Sequence, residues 1–205
     1  MSLPLMWEAW RMAYPTMTFQ EQKEFYRTVW RENRDQHGFN LPAFKRALHM
    51  TSGWPIRVVE LGGWDGELAL LGMTERISTW TNYEICEDAV NESLVEDERY
   101  QAVLLEDWFW RSRYECDLFV ACHVLEHLTL ADVRRTLDAV KFWYAFVEAP
   151  LRSDPISWSG YQGSHILEVG WDGLDEEFFA RGYSPVVITP ESRLYRPRTQ
   201  HEVLA

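Results

Sequence analysis

At 205 residues, with a formal net charge of −12 and eleven tryptophans, the chain has apolar material for a sizeable core and needs no disulfides. The charge argues against nucleic acid or another polyanion as partner, because no Lys/Arg run supplies the basic patch such partners require. Apolar runs of about six residues fall far short of a membrane-spanning helix. Three cysteines, Cys86, Cys116 and Cys122, form no Cys-x-x-Cys pair and suit buried thiols in a reducing compartment. With no charged-then-apolar leader, the expectation is a cytoplasmic protein with no membrane partner.

Residues 1–53 carry helical signals only. Thr18-Phe19-Gln20-Glu21 has the capping-box form, and Phe19, Tyr26 and Trp30, with Phe25 and Val29 alongside, share a broad helical face that His37-Gly38 ends. Asn40 and Pro42 open a second helix with Leu41, Phe44 and Leu48 at i, i+3 and i+7, closed by Thr51-Ser52-Gly53. These helices read as core cover or, more sharply, as a lid over a pocket.

From 54 to 150 strand-like and helix-like segments alternate, the pattern of a parallel sheet. The first strand, Val58-Val59-Glu60-Leu61, runs into Gly62, Gly63 and Gly66, and a helix begins near Glu67. Strand, glycine-rich turn and helix form a nucleotide pocket at the carboxyl end of an open α/β sheet. Further strands are expected over Ile77–Glu84, Tyr100–Leu105, Asp117–Cys122 and Phe142–Glu148, with helices over Glu87–Val95 and after Thr129, which pairs with Asp132 as a cap. Beyond a polar loop from 151, Asp172 is the expected cap of a helix reaching Arg181. Tyr183–Thr189 and Arg193–Arg196 flank Pro190-Glu191-Ser192 as an antiparallel edge hairpin.

Glu84 stands eighteen residues beyond Gly66 at a strand end, where a carboxylate accepts the ribose hydroxyls of an adenosine ligand. Asp107, after the third strand, is placed for an adenine amino group, with Trp108 offering a flat surface for the base and Glu106 competing for the same role.

Glu60-Leu61-Gly62-Gly63-Trp64-Asp65-Gly66 resembles the Glu/Asp-x-Gly-x-x-x-Gly signature of class I S-adenosylmethionine-dependent methyltransferases. Glu84 and Asp107 sit where that family keeps its ribose acid and an adenine contact. Phe119 to Leu128 looks like the family's segment after strand four, and His165 followed by 172–182 is similar to its late His-then-helix region. The resemblance covers roughly 57–190. It implies a Rossmann-like, seven-stranded, mostly parallel sheet with helices on both faces and an antiparallel edge hairpin. In that arrangement residues 1–53 form a helical cap, 54–150 a cofactor-binding core, and 151–205 a substrate loop with a closing helix and hairpin.

The implied cofactor is S-adenosylmethionine, held by Glu60, Gly62, Gly63, Trp64, Gly66, Glu84, Asp107, Trp108 and His123. Trp64 departs from the family, which commonly has a further glycine there; its ring must turn away from the cofactor or pack against it. It also removes the Gly-x-Gly-x-x-Gly fingerprint of NAD enzymes.

The implied reaction is methyl transfer to a small-molecule acceptor, an in-line displacement in which the protein supplies alignment and at most one base. His165 is the first candidate base, on a polar loop facing the site, with His123 second and His127 and Glu148 behind. Two other readings stand beside this one. One is a methyltransferase-like domain that binds a nucleoside or partner without catalysis. The other is a zinc metallohydrolase using His123-x-x-Glu126-His127, which requires both histidines on one helical face. The acceptor and the oligomeric state are left open.

Overall fold

The structure, a computed structural model, describes residues 12–33, 39–53, 55–151, 167 and 169–199. Its strands are β1 (Ile56–Leu61), β2 (Ile77–Glu84), β3 (Tyr100–Leu104), β4 (Tyr114–Glu115), β5 (Leu118–Cys122), β6 (Val140–Lys141), β7 (Tyr144–Glu148), β8 (Tyr183–Thr189) and β9 (Ser192–Pro197). Seven of them form one sheet in the order β3-β2-β1-β5-β7-β9-β8. All neighbours are parallel except β9, which runs antiparallel to both β7 and β8. This is the expected Rossmann-like sheet with an edge hairpin. β4 and β6 add a small parallel pair at the side that the sequence did not signal.

The sheet is central because its middle strands are apolar on both faces. Along β1 and β5, adjacent residues point to opposite sides. Val58, Leu118 and Val120 meet Ala43, Phe44 and Leu48 of the Leu41–Met50 helix on one face. Val59, Phe119 and Ala121 share the other face with Val133 and Leu137 of the Leu130–Ala139 helix and with Leu174 and Phe178 of the Trp171–Ala180 helix. The chain winds outward from β1 through β2 to β3, then returns to lay β5 on the other side of β1. That reversal opens a crevice at the carboxyl ends of β1 and β5.

The helix starts follow their sequence signals. Glu21 N–H donates to Thr18 Oγ1 at 3.3 Å and Thr18 N–H to Glu21 Oε2 at 2.7 Å, completing the box that opens the Phe19–Asn33 helix. Ala43 N–H donates to Asn40 Oδ1 at 3.0 Å, and Asp132 N–H to Thr129 Oγ1 at 3.1 Å. The expected stop at His37-Gly38 lies outside the described residues.

Three boundaries differ from expectation. The helix after Cys86 spans only Glu87–Asn91, because Leu94 N–H is drawn off to Asp65 O at 2.9 Å, fastening the glycine turn instead of extending the helix. Gly170, not Asp172, is the N-cap of the Trp171–Ala180 helix; Trp171 is buried in the core at its first position, with the Arg193 guanidinium 4.3 Å from its ring. In the hairpin, Ser192 already belongs to β9, and β9 lies inside β8. Its Ser192, Leu194 and Tyr195 are buried, whereas Val187 of β8 is exposed.

Phe44 ties the amino-terminal helices to the sheet. It is fully buried, with ring centroids 5.6 Å from Trp80 and 5.7 Å from Phe146. Phe44→Ala is expected to cost about 3–5 kcal/mol of stability, read as a shift in the urea midpoint at unchanged slope. A loss under about 1 kcal/mol would mean that the Leu41–Met50 helix is not part of the core.

Candidate functional site

The turn after β1 folds through backbone conformations that L-residues avoid. Gly62 has φ 67° and Gly66 φ 86°, and between them Trp64 is held at φ 56°. Side chains on these glycines would fill the turn. A Cβ on Gly63 would run into the Glu60 carboxylate and lie 2.8 Å from Asn82 Cγ, and one on Gly66 would lie 2.6 Å from the Tyr100 hydroxyl. The turn therefore admits only glycine at these positions and packs closely against the side chains around it.

Gly66 N–H is met within the turn, by Gly63 O at 2.9 Å, while the end of β2 meets the donors before it. Gly62 N–H donates to Tyr83 O at 2.8 Å, Gly63 N–H to Asn82 Oδ1 at 2.9 Å and Trp64 N–H to Glu84 Oε2 at 2.9 Å. Cys86 N–H takes the other Glu84 oxygen at 2.8 Å. Asn82 also donates to Trp64 O at 3.1 Å and to the Tyr100 hydroxyl at 3.2 Å. Sequence reasoning missed Asn82. Its signal was its place opposite Glu60 in the β1–β2 register, two residues before the acid.

Glu84 is thus at the site, 1% exposed, with both oxygens engaged by backbone N–H groups. Burial pushes its carboxyl up to about 7 against those hydrogen bonds. Glu60 is equally buried, accepts the Trp80 indole N–H at 2.8 Å, and is pushed up to about 8 by burial. The candidates after β3 separate. Asp107 is exposed and paired with Arg111 at 2.9 Å, while Glu106 pairs with Lys23 at 2.7 Å. The Trp108 side chain lies outside the described residues.

His123, at the end of β5, also has a left-handed backbone, φ 55°, with its N–H donating to Glu148 O at 2.7 Å. Its ring stands between two buried carboxylates, with Nε2 3.2 Å from Glu148 Oε1 and Nδ1 3.5 Å from Glu126 Oε1. Burial works against its charge, but the two carboxylates outweigh this and raise it to about 10. His123 is therefore an imidazolium at neutral pH, with no lone pair to act as a base. Glu148 further accepts Asn40 N–H, at 2.9 and 3.1 Å. His127 lies 4.0 Å from Glu126 Oε1. His165 falls outside the described residues.

These contacts overturn the zinc reading. Residues 123–127 do not form one helical face: His123 ends a strand and Leu125–His127 make a single 3-10 turn. Among the described residues, no group of three or more His, Cys, Asp or Glu side chains is arranged to hold a metal ion.

The Phe19–Asn33 helix lies over this edge. Its Trp30 packs edge-on against Trp64, centroids 4.9 Å apart, so the large ring in the glycine turn is turned toward the covering helix. Arg27 and Arg31 each reach Asp88 at 3.1 Å, beside the Lys23–Glu106 pair. Burial, then Tyr14, Glu84 and Glu126, hold the Tyr26 phenol well above its ordinary range.

The raised carboxyls set the pH dependence of stability. Glu60 and Glu84 keep protons in the folded chain that the unfolded chain releases near its ordinary value of 4.5. Stability should therefore fall as pH rises from about 4.5 to about 8. Glu60→Gln should flatten that fall in thermal melts taken at several pH values; an unchanged slope would show that Glu60 is ionised in the fold.

No family model and no curated protein matches the chain. Solved structures do. Magnesium protoporphyrin IX methyltransferase from Synechocystis PCC 6803, with bound SAH, superposes at TM-score 0.61 and 11% identity, covering 87% of this chain and 98% of that one. The Burkholderia thailandensis 1,6-didemethyltoxoflavin-N1-methyltransferase, with that compound and S-adenosylhomocysteine bound, gives 0.63 at 13% identity, covering 87% and 88%. Mitomycin 7-O-methyltransferase gives 0.60 at 16%, covering 94% and 67%. The strand order, the glycine turn at the switch point and these likenesses together identify the class I methyltransferase fold.

Proposed function

We propose that the protein transfers a methyl group from S-adenosylmethionine to a small-molecule acceptor. The observation that carries this is the turn after β1, left-handed and closely packed on its glycines where the strand order reverses and tied through Trp64 N–H to a buried acid on the next strand. Glycines that a Cβ would crowd, an acid beside them and an open strand end fit a nucleoside ligand. The structures of similar fold that hold S-adenosylhomocysteine support the choice of cofactor. In this reading Gly62, Gly63 and Gly66 cradle the cofactor, and Glu60, Trp64 and His123 border it. Glu84 accepts ribose hydroxyls through its remaining lone pairs, and Asp107 and Trp108 attend the base. S-adenosylmethionine supplies an already activated methyl; the chain orients it, excludes water and positions the acceptor. His165 remains the candidate base.

A second reading, ligand binding without turnover, is favoured by the Trp30–Trp64 contact, which closes the Phe19–Asn33 helix over the turn. Calorimetry with S-adenosylhomocysteine, followed by an acceptor screen that reports its release from S-adenosylmethionine, separates the two readings. Binding with turnover is expected, binding alone would favour the second, and no binding would sink both.

Glu84→Ala should weaken S-adenosylhomocysteine binding by about tenfold, or ~1.4 kcal/mol, in the same calorimeter. Trp30→Ala should do the opposite. Losing an aromatic pair worth about 0.5–1.5 kcal/mol frees the helix and raises both association rate and affinity by up to about tenfold, measured by stopped-flow fluorescence. His165→Ala should lower turnover more than cofactor affinity.

A further inference from the structure

Across the carboxyl edge of the sheet stand, in order, Glu84 after β2, the glycine turn after β1, His123 and Glu126 after β5, and Glu148 on β7. A nucleoside on the glycine turn has Glu84 at one flank, so its reacting partner meets it at the other, over β5 and β7. That flank is a row of three ionisable groups, Glu126, His123 and Glu148.

The three differ in what they have left to offer. Glu148 is occupied by His123 and by Asn40 N–H. Both nitrogens of His123 face carboxylates. Glu126 is 1% exposed; its Oε1 faces His123 and His127, while Oε2 is buried with no hydrogen-bond partner among the described residues. A buried carboxylate oxygen is costly to leave in that state, and at the carboxyl end of a strand it calls for a partner that the described residues do not supply.

We propose, on the footing of the methyl-transfer reading above, that Glu126 Oε2 faces the methyl acceptor, and that the acceptor is a neutral, weakly basic nitrogen carrying an N–H, as in an aromatic amine or N-heterocycle. His123 is a positioning residue that orients Glu126 and touches no reacting atom.

The charge of the row selects this chemistry. Burial opposes ionisation of Glu126, but the neighbouring His123 and His127 hold its carboxyl below the ordinary range. Glu126 and Glu148 face the His123 ring from its two sides. During transfer the nitrogen lone pair forms the N–CH3 bond as the S–CH3 bond breaks. The bonding pair stays on sulfur, and the positive charge passes from sulfur to nitrogen. A fixed carboxylate beside that nitrogen stabilises the charge as it develops; the product then gives its proton to water. The same carboxylate repels a phenolate or carboxylate acceptor, and it keeps an aliphatic amine protonated, without a lone pair. A weakly basic nitrogen avoids both obstacles. The Phe19–Asn33 helix lies over this edge, with Trp30 against Trp64, so on this proposal the acceptor enters as that helix lifts.

The test uses the whole chain saturated with S-adenosylhomocysteine and three probes of similar shape: benzamidine, phenol and benzoate. Benzamidine carries N–H groups and the positive charge that nitrogen bears after transfer. It should bind at least about tenfold more tightly than phenol, and benzoate most weakly; Glu126→Gln should level benzamidine with phenol while leaving S-adenosylhomocysteine affinity unchanged. The His123 imidazole nitrogens should report an imidazolium at pH 8 by NMR, lost in Glu148→Gln. Phenol or benzoate binding as well as benzamidine, no benzamidine binding, or a preference that survives Glu126→Gln would overturn the proposal. Should Glu126→Gln not fold, the ranking in the unaltered protein decides alone. Failure of S-adenosylhomocysteine to bind would instead remove the methyl-transfer reading, and this inference with it.

Discussion

The carboxyl edge of the sheet depends on how a left-handed turn disposes of its backbone N–H groups. The ladder with β2 stops at Gly62 N–H, and an unsatisfied buried donor beyond it costs about 1–3 kcal/mol. Asn82 and Glu84, two residues apart on β2, meet the donors of Gly63 and Trp64, so the shape of the turn is set by side chains of the neighbouring strand. The same two residues carry the constraint onward. Glu84 fixes the start of the segment at Cys86, and Asn82 fixes the Tyr100 hydroxyl on β3. Three parallel strands are thereby locked into one rigid rim, as a preorganised binding surface requires.

That rim is acidic in a chain already far from neutrality, and the protein deals with its buried carboxyls in two ways. Glu60 and Glu84 lie in surroundings that favour the protonated acid. Glu126 and Glu148 flank an imidazolium, and the left-handed backbone of His123 turns the ring into the space between them. Burial thus governs the acids on one side of the crevice and a shared imidazole ring those on the other, an asymmetry that suits a ligand whose own charge moves from one atom to another.

Much of the fold was legible because it rests on local pattern. The β-branched run before Gly62, the alternation of strands and helices, and the caps at Thr18, Asn40 and Thr129 each occupy a few adjacent residues. The spacing from the glycines to Glu84 found the right strand end. What the sequence hid are contacts between distant segments. Nothing near Trp64 announces that its ring meets Trp30, and nothing near Glu148 announces Asn40. The helix after Cys86 ends early because a turn twenty-nine residues before Leu94 claims that residue's N–H. The inner place of β9 follows from which strand of the hairpin has more to bury.

The two amino-terminal helices are fastened by different forces. Leu41–Met50 is rooted in the core through Phe44, whereas Phe19–Asn33 sets Phe19 on Trp110 and Trp30 on Trp64, Cys86 and Ala89, and adds arginine and lysine contacts to Asp88 and Glu106. Ion pairs that reach solvent weaken as the Debye length shrinks from about 10 Å at 0.1 M salt to 3 Å at 1 M; the packed Phe44 does not. Dissolved electrolyte thus loosens the ionic part of one helix's hold and leaves the packing of both untouched.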